Sequence, residues 1–133
     1  MRIIAGEYKA KRLNSPKTDK TRTTLDRVKE ALFSIIDGYI KGANVLDLFS
    51  GTGNLAIEAI SRGAKFAWLN DDKNLAISTI LSNIQLTKCQ NYVKITKKDY
   101  IKCLAQIKFI NFLKQIIHIF RPLTSFQKAV AKI

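Results

Sequence analysis

VLDLFSGTGNL, residues 45–55, runs apolar into a carboxylate, turns through two glycines and opens a new helical pattern. Val45, Leu46, Leu48 and Phe49 predict a buried parallel strand, because such a strand is covered on both faces and its sequence does not alternate. Gly51 and Gly53 supply the exit turn, where the missing Cβ admits positive φ and lets a ligand reach the main chain. In an open α/β sheet this is a ligand crevice, at the carboxyl end of a strand and facing the first N–H groups of a helix.

The spacing Gly51, Gly53, Ala56 also satisfies the loose dinucleotide fingerprint G-x-G-x-x-G/A, so a nicotinamide cofactor is the competing reading. Asp47 weighs against it. A carboxylate at the mouth of the loop, with no basic residue beside it, repels a pyrophosphate and suits a cation. S-adenosylmethionine, with its ammonium and sulfonium, fits that end better than NAD. An oxidoreductase also needs a proton relay, and the one histidine, His118, sits in an apolar stretch.

At 133 residues the chain is one domain, short for a complete doubly wound sheet. Its 23 Lys and Arg against 10 Asp and Glu leave a formal charge of +13, which points to a polyanionic partner, nucleic acid first. No stretch has the length of a transmembrane helix and no signal pattern opens the chain, so a cytoplasmic protein without a membrane partner is expected. Cys89 and Cys103 have no metal-ligand spacing to each other or to His118, and predict reduced structural thiols and no metal.

Residues 2–4 and 8–13 predict a small N-terminal hairpin with a basic outer side, followed by a polar segment, 14–24, that includes Lys17, Lys20 and Arg22. Thr23 and Asp26 stand in capping-box-like spacing before Leu25, Val28, Leu32, Ile35 and Ile36, an amphipathic helix expected to stop at Asp37 and Gly38. Arg27 and Lys29 are placed on its exposed face. After the loop, a helix from Asn54 to a Gly63 cap leads to a strand at 65–69 with Trp68 in the core. Asp71 follows it, about twenty residues beyond the glycines, where an acid takes ribose hydroxyls; Asp72 is expected to cap the next helix. Tyr92, Val93 and Ile95 predict a third strand closed by Asp99 and Tyr100. Asp99 either accepts from the amino group of adenine or caps a helix. Asp47, Asp71 and Asp99, after three successive strands, line one edge of a parallel sheet.

With these segments assembled, the chain resembles the bacterial 16S rRNA guanine-N2 methyltransferases of the RsmD family. MRIIAGEYKAKRL (1–13) is similar to that family's N-terminal hairpin. TRTTLDRVKEALF (21–33) is similar to its substrate-side signature, with Thr23 where proline is usual. VLDLFSGTGNLAIEAISRGA (45–64) is similar to its cofactor motif. The resemblance covers 1–108 and implies a Rossmann-like methyltransferase fold, incomplete at the C-terminus, with a small N-terminal β-hairpin. It implies methyl transfer from S-adenosylmethionine to the exocyclic amine of a guanine in 16S rRNA or the assembling small subunit. On that reading Asp47, Phe49, Ser50, Gly51, Gly53, Asp71, Asp99 and Tyr100 form the cofactor site. The glycine loop holds the methionine end, Asp71 the ribose, where the family usually has glutamate, and Asp99 the adenine. Arg2, Lys11, Arg12, Arg22 and Arg27 face RNA.

After residue 108 the family has a strand ending in Asn/Asp-Pro-Pro-Tyr, whose polar groups accept from the target amine while the ring stacks on the base. This sequence has no such motif; its nearest string is Arg121, Pro122, Leu123, Thr124, and an arginine cannot accept a hydrogen bond. No residue present is therefore assigned as catalytic. Phe109, Phe112, Leu113, Ile116, Ile117 and Phe120 fall at helical intervals and predict a helix rather than a strand, with a second after Pro122. The expected organisation is a basic hairpin and loop (1–24), a cofactor-binding α/β half (25–108) and an atypical helical tail (109–133), the mark of a truncated or frame-disrupted member. A sheet so cut exposes a parallel edge that invites self-association. Two functions follow: an rRNA methyltransferase, or a non-catalytic RNA- or cofactor-binding remnant of that family.

Overall fold

A computed structural model describes residues 1–15, 22–108 and 116–119, with backbone alone at 22–25, 108 and 116–119. The strand before the glycine loop is β1 (Asn44–Asp47). It pairs in parallel with β2 (Phe66–Asp71) on one side and β4 (Ile116–Ile119) on the other, and β3 (Val93–Lys97) lies outside β2. Parallel neighbours need long crossovers. α2 (Asn54–Ser61) makes the crossover from β1 to β2, α3 (Asn74–Thr87) the one from β2 to β3, and α4 (Tyr100–Lys108) follows β3. α1 (Arg22–Ile40) precedes β1.

Successive strand residues point to opposite faces, and both faces here are covered. Val45 and Leu69 join α1, α2, α3 and the N-terminal hairpin in one apolar cluster; Leu46 and Trp68 join Cys103, Leu104 and Ile107 of α4 in the other. This is the expected α/β arrangement, with Trp68 in the core at 2% exposure.

The hairpin is held by a single antiparallel bridge, Arg2 to Arg12, with Ala10 N–H donating to the Ile3 carbonyl at 2.8 Å and Ile3 N–H to the Lys11 carbonyl at 2.9 Å. It sits on α2 through buried charge. Glu58, fully buried, accepts from Ile4 N–H at 3.0 Å and Ala5 N–H at 3.1 Å, and pairs with Lys29 Nζ at 3.1 Å and Arg62 Nε at 2.9 Å. Gly6 makes the approach possible: at φ +87°, a Cβ there would lie 1.9 Å from the Ser61 carbonyl oxygen.

Four expectations are corrected. Lys29 is not on an exposed face; it is 0% exposed, donating to the Arg2 carbonyl at 2.6 Å and Asn54 Oδ1 at 2.8 Å beside Glu58. The first long helix does not stop at Asp37 and Gly38 but continues to Ile40, whose side chain is 1% exposed in the core; that burial outweighs the roughly 1 kcal/mol cost of an internal glycine. Asp72 does not cap α3. The N-cap position is Lys73, and the carboxylate that accepts its N–H is Asp71. The apolar run at 116–119 is a strand, not part of a helix, because pairing with β1 satisfies backbone groups that β1 would otherwise leave open. The edges of the sheet are thus β3 and β4. The helix expected after Pro122 and the basic residues Lys17 and Lys20 lie outside the described residues.

Candidate active site

The carboxyl ends of β1, β2 and β3 meet above the sheet, and the glycine loop between β1 and α2 is pinned there from several sides. Gly53 N–H donates to the Ser50 carbonyl at 2.8 Å, closing a turn that needs φ +57° at Gly51 and +78° at Gly53. Ser50 N–H donates to the Asn70 carbonyl at 2.9 Å and Ser50 Oγ to the Asp47 carbonyl at 2.8 Å. Gly51 N–H donates to Asp71 Oδ2 at 3.0 Å, and the Thr52 carbonyl accepts from Asn83 Nδ2 at 2.8 Å. These bonds hold the loop's main chain at the strand ends and link it to β2 and α3.

Asp71 ties the loop to the start of α3, since Oδ1 accepts Lys73 N–H at 3.0 Å while Oδ2 holds Gly51. It is partly exposed, and a carboxylate has about four lone-pair sites, so acceptor capacity remains for a ligand's hydroxyls. Asp99 begins α4, its Oδ1 accepting Ile101 N–H at 2.9 Å; it acts as a helix cap and stays solvent-facing. The Tyr100 ring lies 5.3 Å from that of Phe49, tilted by 44°, so these two aromatics form one wall. Asp47 ends β1 and is 1% exposed.

Asn70, which sequence reasoning passed over, is the bolt between the strand ends. It is 1% exposed; Nδ2 donates to the Leu48 carbonyl at 3.3 Å and the Lys98 carbonyl at 2.9 Å, and Oδ1 accepts from Thr96 Oγ1 at 2.7 Å. Thr96 Oγ1 in turn accepts from Trp68 Nε1 at 2.9 Å. Its sequence signal was its place beside Asp71 at the end of an apolar strand, where an amide must be satisfied if buried. Asn83 and Glu58, both buried in helices, gave no such signal. Burial in the two cores pushes the Cys89 and Cys103 thiols up and the Lys29 ammonium down, although Glu58 opposes the last.

The strand ends offer three carboxylates, Asp47, Asp71 and Asp99, which suit cationic or hydrogen-donating groups of a ligand. Among the described residues, apart from its chain neighbours, none lies within 4 Å of where a Gly51 Cβ would stand. Among the described residues no group of three acidic, histidine or cysteine side chains could hold a metal, and no helix is long and apolar enough to cross a membrane.

A separate groove of about 560 Å³ runs between the hairpin and α1, lined among others by Arg2, Lys9, Arg27, Asp26 and Glu30. Arg2 and Arg12 face each other across the hairpin bridge, and Lys11 lies 5.3 Å from the centre of the Tyr8 ring. Arg2, Lys11, Arg12 and Arg27 are all exposed. Arg22 begins α1, but its side chain lies outside the described residues.

The family model described as Conserved hypothetical protein 95 matches residues 1–117, reaching into β4. Ribosomal RNA small subunit methyltransferase D of Haemophilus influenzae is 40% identical over 68% of this chain and 47% of its own. That of Escherichia coli is 33% identical over 80% of this chain and 53% of its own. A solved Escherichia coli structure named "Putative methyltransferase yhhF" superposes with a TM-score of 0.69 at 30% identity, covering 79% of this chain and 56% of that one. The chain spans about half the length of the curated relatives it matches.

Proposed function

The chain belongs to the family described as Conserved hypothetical protein 95, the RsmD family of the small-subunit rRNA methyltransferases, and from that premise we propose that it binds S-adenosylmethionine and serves methylation of a guanine N2 amine in 16S rRNA. The observation that carries the reading is the edge itself: three carboxylates at three successive parallel strand ends around a loop held open by Gly51. When bound, S-adenosylmethionine supplies a methyl group on a sulfonium. The chain's own work is to bind and orient. Asp47 attracts the ammonium, Asp71 accepts from the ribose hydroxyls, Asp99 accepts from the adenine amine, and Phe49 with Tyr100 shields the base from water. Arg2, Lys11, Arg12, Arg22 and Arg27 contact rRNA phosphates, whose neutralisation makes binding fall with salt.

A second reading is favoured by one sequence feature. The residues after β4 are Phe120, Arg121, Pro122 and Leu123, which offer the target amine no carboxylate or amide acceptor. On that reading the chain binds cofactor and RNA without turnover. Transfer of labelled methyl from S-adenosylmethionine to immature small ribosomal subunits separates the two: incorporation at a guanine supports the enzyme, and salt-sensitive RNA binding without incorporation supports the remnant.

A further inference from the structure

One buried amide touches both the hairpin exit and the glycine loop. Asn83, on α3, is 0% exposed. Its Oδ1 accepts Asn14 N–H at 2.7 Å, and its Nδ2 donates to the Asn14 carbonyl at 3.0 Å and to the Thr52 carbonyl at 2.8 Å. Asn14 directly follows Arg12 and buried Leu13 in the hairpin, and its side-chain Nδ2 donates to Ser82 Oγ at 2.7 Å. Thr52 lies between the two glycines of the loop. The three backbone groups that Asn83 satisfies therefore belong to two different functional surfaces, and both of its amide hydrogens are used.

We infer that Asn83 is a positioning residue that couples the two surfaces: ordering the glycine loop around a cofactor tightens the Asn14 backbone, and so fixes the strand carrying Arg12 for RNA. This rests on the cofactor and RNA reading above. The physical reason is geometric. An amide plane fixed by its bond to Thr52 holds its other groups in register with Asn14, so a shift of the loop tilts the plane and weakens the bonds to Asn14. Ligand binding that rigidifies one end lowers the cost of ordering the other, and the coupling is reciprocal. Lys29 makes a parallel strut on the entry side of the hairpin, from the Arg2 carbonyl to Asn54 at the start of α2, but it reaches the helix rather than the loop.

The test is native-state hydrogen exchange at the Asn14 amide in the full chain, with and without saturating S-adenosylmethionine. Cofactor should slow exchange at Asn14 by roughly fivefold or more, with the Ala10 amide at the hairpin's far end changing little. In Asn83→Asp the oxygen that accepts Asn14 N–H is kept and the donor to the Thr52 and Asn14 carbonyls is lost, so the response at Asn14 should vanish at a cofactor concentration that calorimetry shows to saturate the variant. Cofactor binding to the unaltered chain with an unchanged Asn14 rate overturns the inference, and so does a response that survives in Asn83→Asp. The measurement on the unaltered chain decides alone if the variant does not fold. If calorimetry detects no cofactor binding by the folded unaltered chain, the cofactor reading itself has failed and the inference falls with it.

Discussion

Replacing Glu58 with glutamine changes one atom and should unseat the hairpin. Glu58 is fully buried and receives Lys29 Nζ at 3.1 Å, Arg62 Nε at 2.9 Å, and the Ile4 and Ala5 N–H groups at 3.0 and 3.1 Å. Every one of those neighbours is a donor. Glutamine brings a donor of its own, so its NH₂ must face another donor, and the buried Lys29 charge loses its counter-ion. Removing one partner of a buried pair costs about 3–5 kcal/mol, against a total stability of about 5–15 kcal/mol for a domain of this kind. In urea, with a slope of about 1–3 kcal/mol per molar, the midpoint should fall by about 1 M or more. Hydrogen exchange should report the loss first at the Ile4 and Ala5 amides. In the double variant Glu58→Gln with Lys29→Met the uncompensated charge is gone, so the pair should cost less than the two single changes summed. A Glu58→Gln loss below about 1 kcal/mol, or strict additivity, would refute the view that this charge cluster seats the hairpin.

Gly6→Ala sets a Cβ 1.9 Å from the Ser61 carbonyl oxygen at a φ of +87°, and should lower the melting temperature by several degrees, the size that about 1 kcal/mol or more produces in a small domain. Stability should decline as pH rises past 9: Cys89 and Cys103 are held above their ordinary 9.0 and Tyr8 above 10.0 by burial, so the stability they give is complete below those values and is lost as pH climbs through the raised ones. Lys29, lowered from 10.5 by burial, works the other way, since its contribution is present above 10.5 and lost as pH falls through its folded value. Cys103→Ala should therefore flatten the alkaline limb of a melting-temperature profile. Arg27→Ala should weaken RNA binding across sequences and reduce the salt slope by about 1 in a filter-binding series; an unchanged slope would remove Arg27 from the RNA surface.

The parts legible in the sequence were those whose physics is local. A strand covered on both faces must be apolar throughout, and a turn at positive φ calls for glycine, so β1, the loop and α2 could be read from residues 45–61. The acids at the next two strand ends followed from topology. What escaped was settled by distant partners. Lys29 on an amphipathic helix reads as solvated unless one knows that Glu58, twenty-nine positions on, waits for it. Ile116 and Ile117 suit a helix and a strand equally, and only the open side of β1 chooses between them. Asp71 rather than Asp72 holds the start of α3, through Lys73 N–H, and it also reaches back to Gly51, a contact between strand ends that no local signature records.

Calorimetric titration of the folded, monodisperse chain with S-adenosylmethionine, with NAD as the control, tests the central claim most directly. Saturable binding of S-adenosylmethionine alone, weakened about tenfold or more by Asp71→Ala as expected for a charged hydrogen bond of about 1.5–3 kcal/mol, is the predicted result. Binding of NAD instead, or no binding of either, would contradict it.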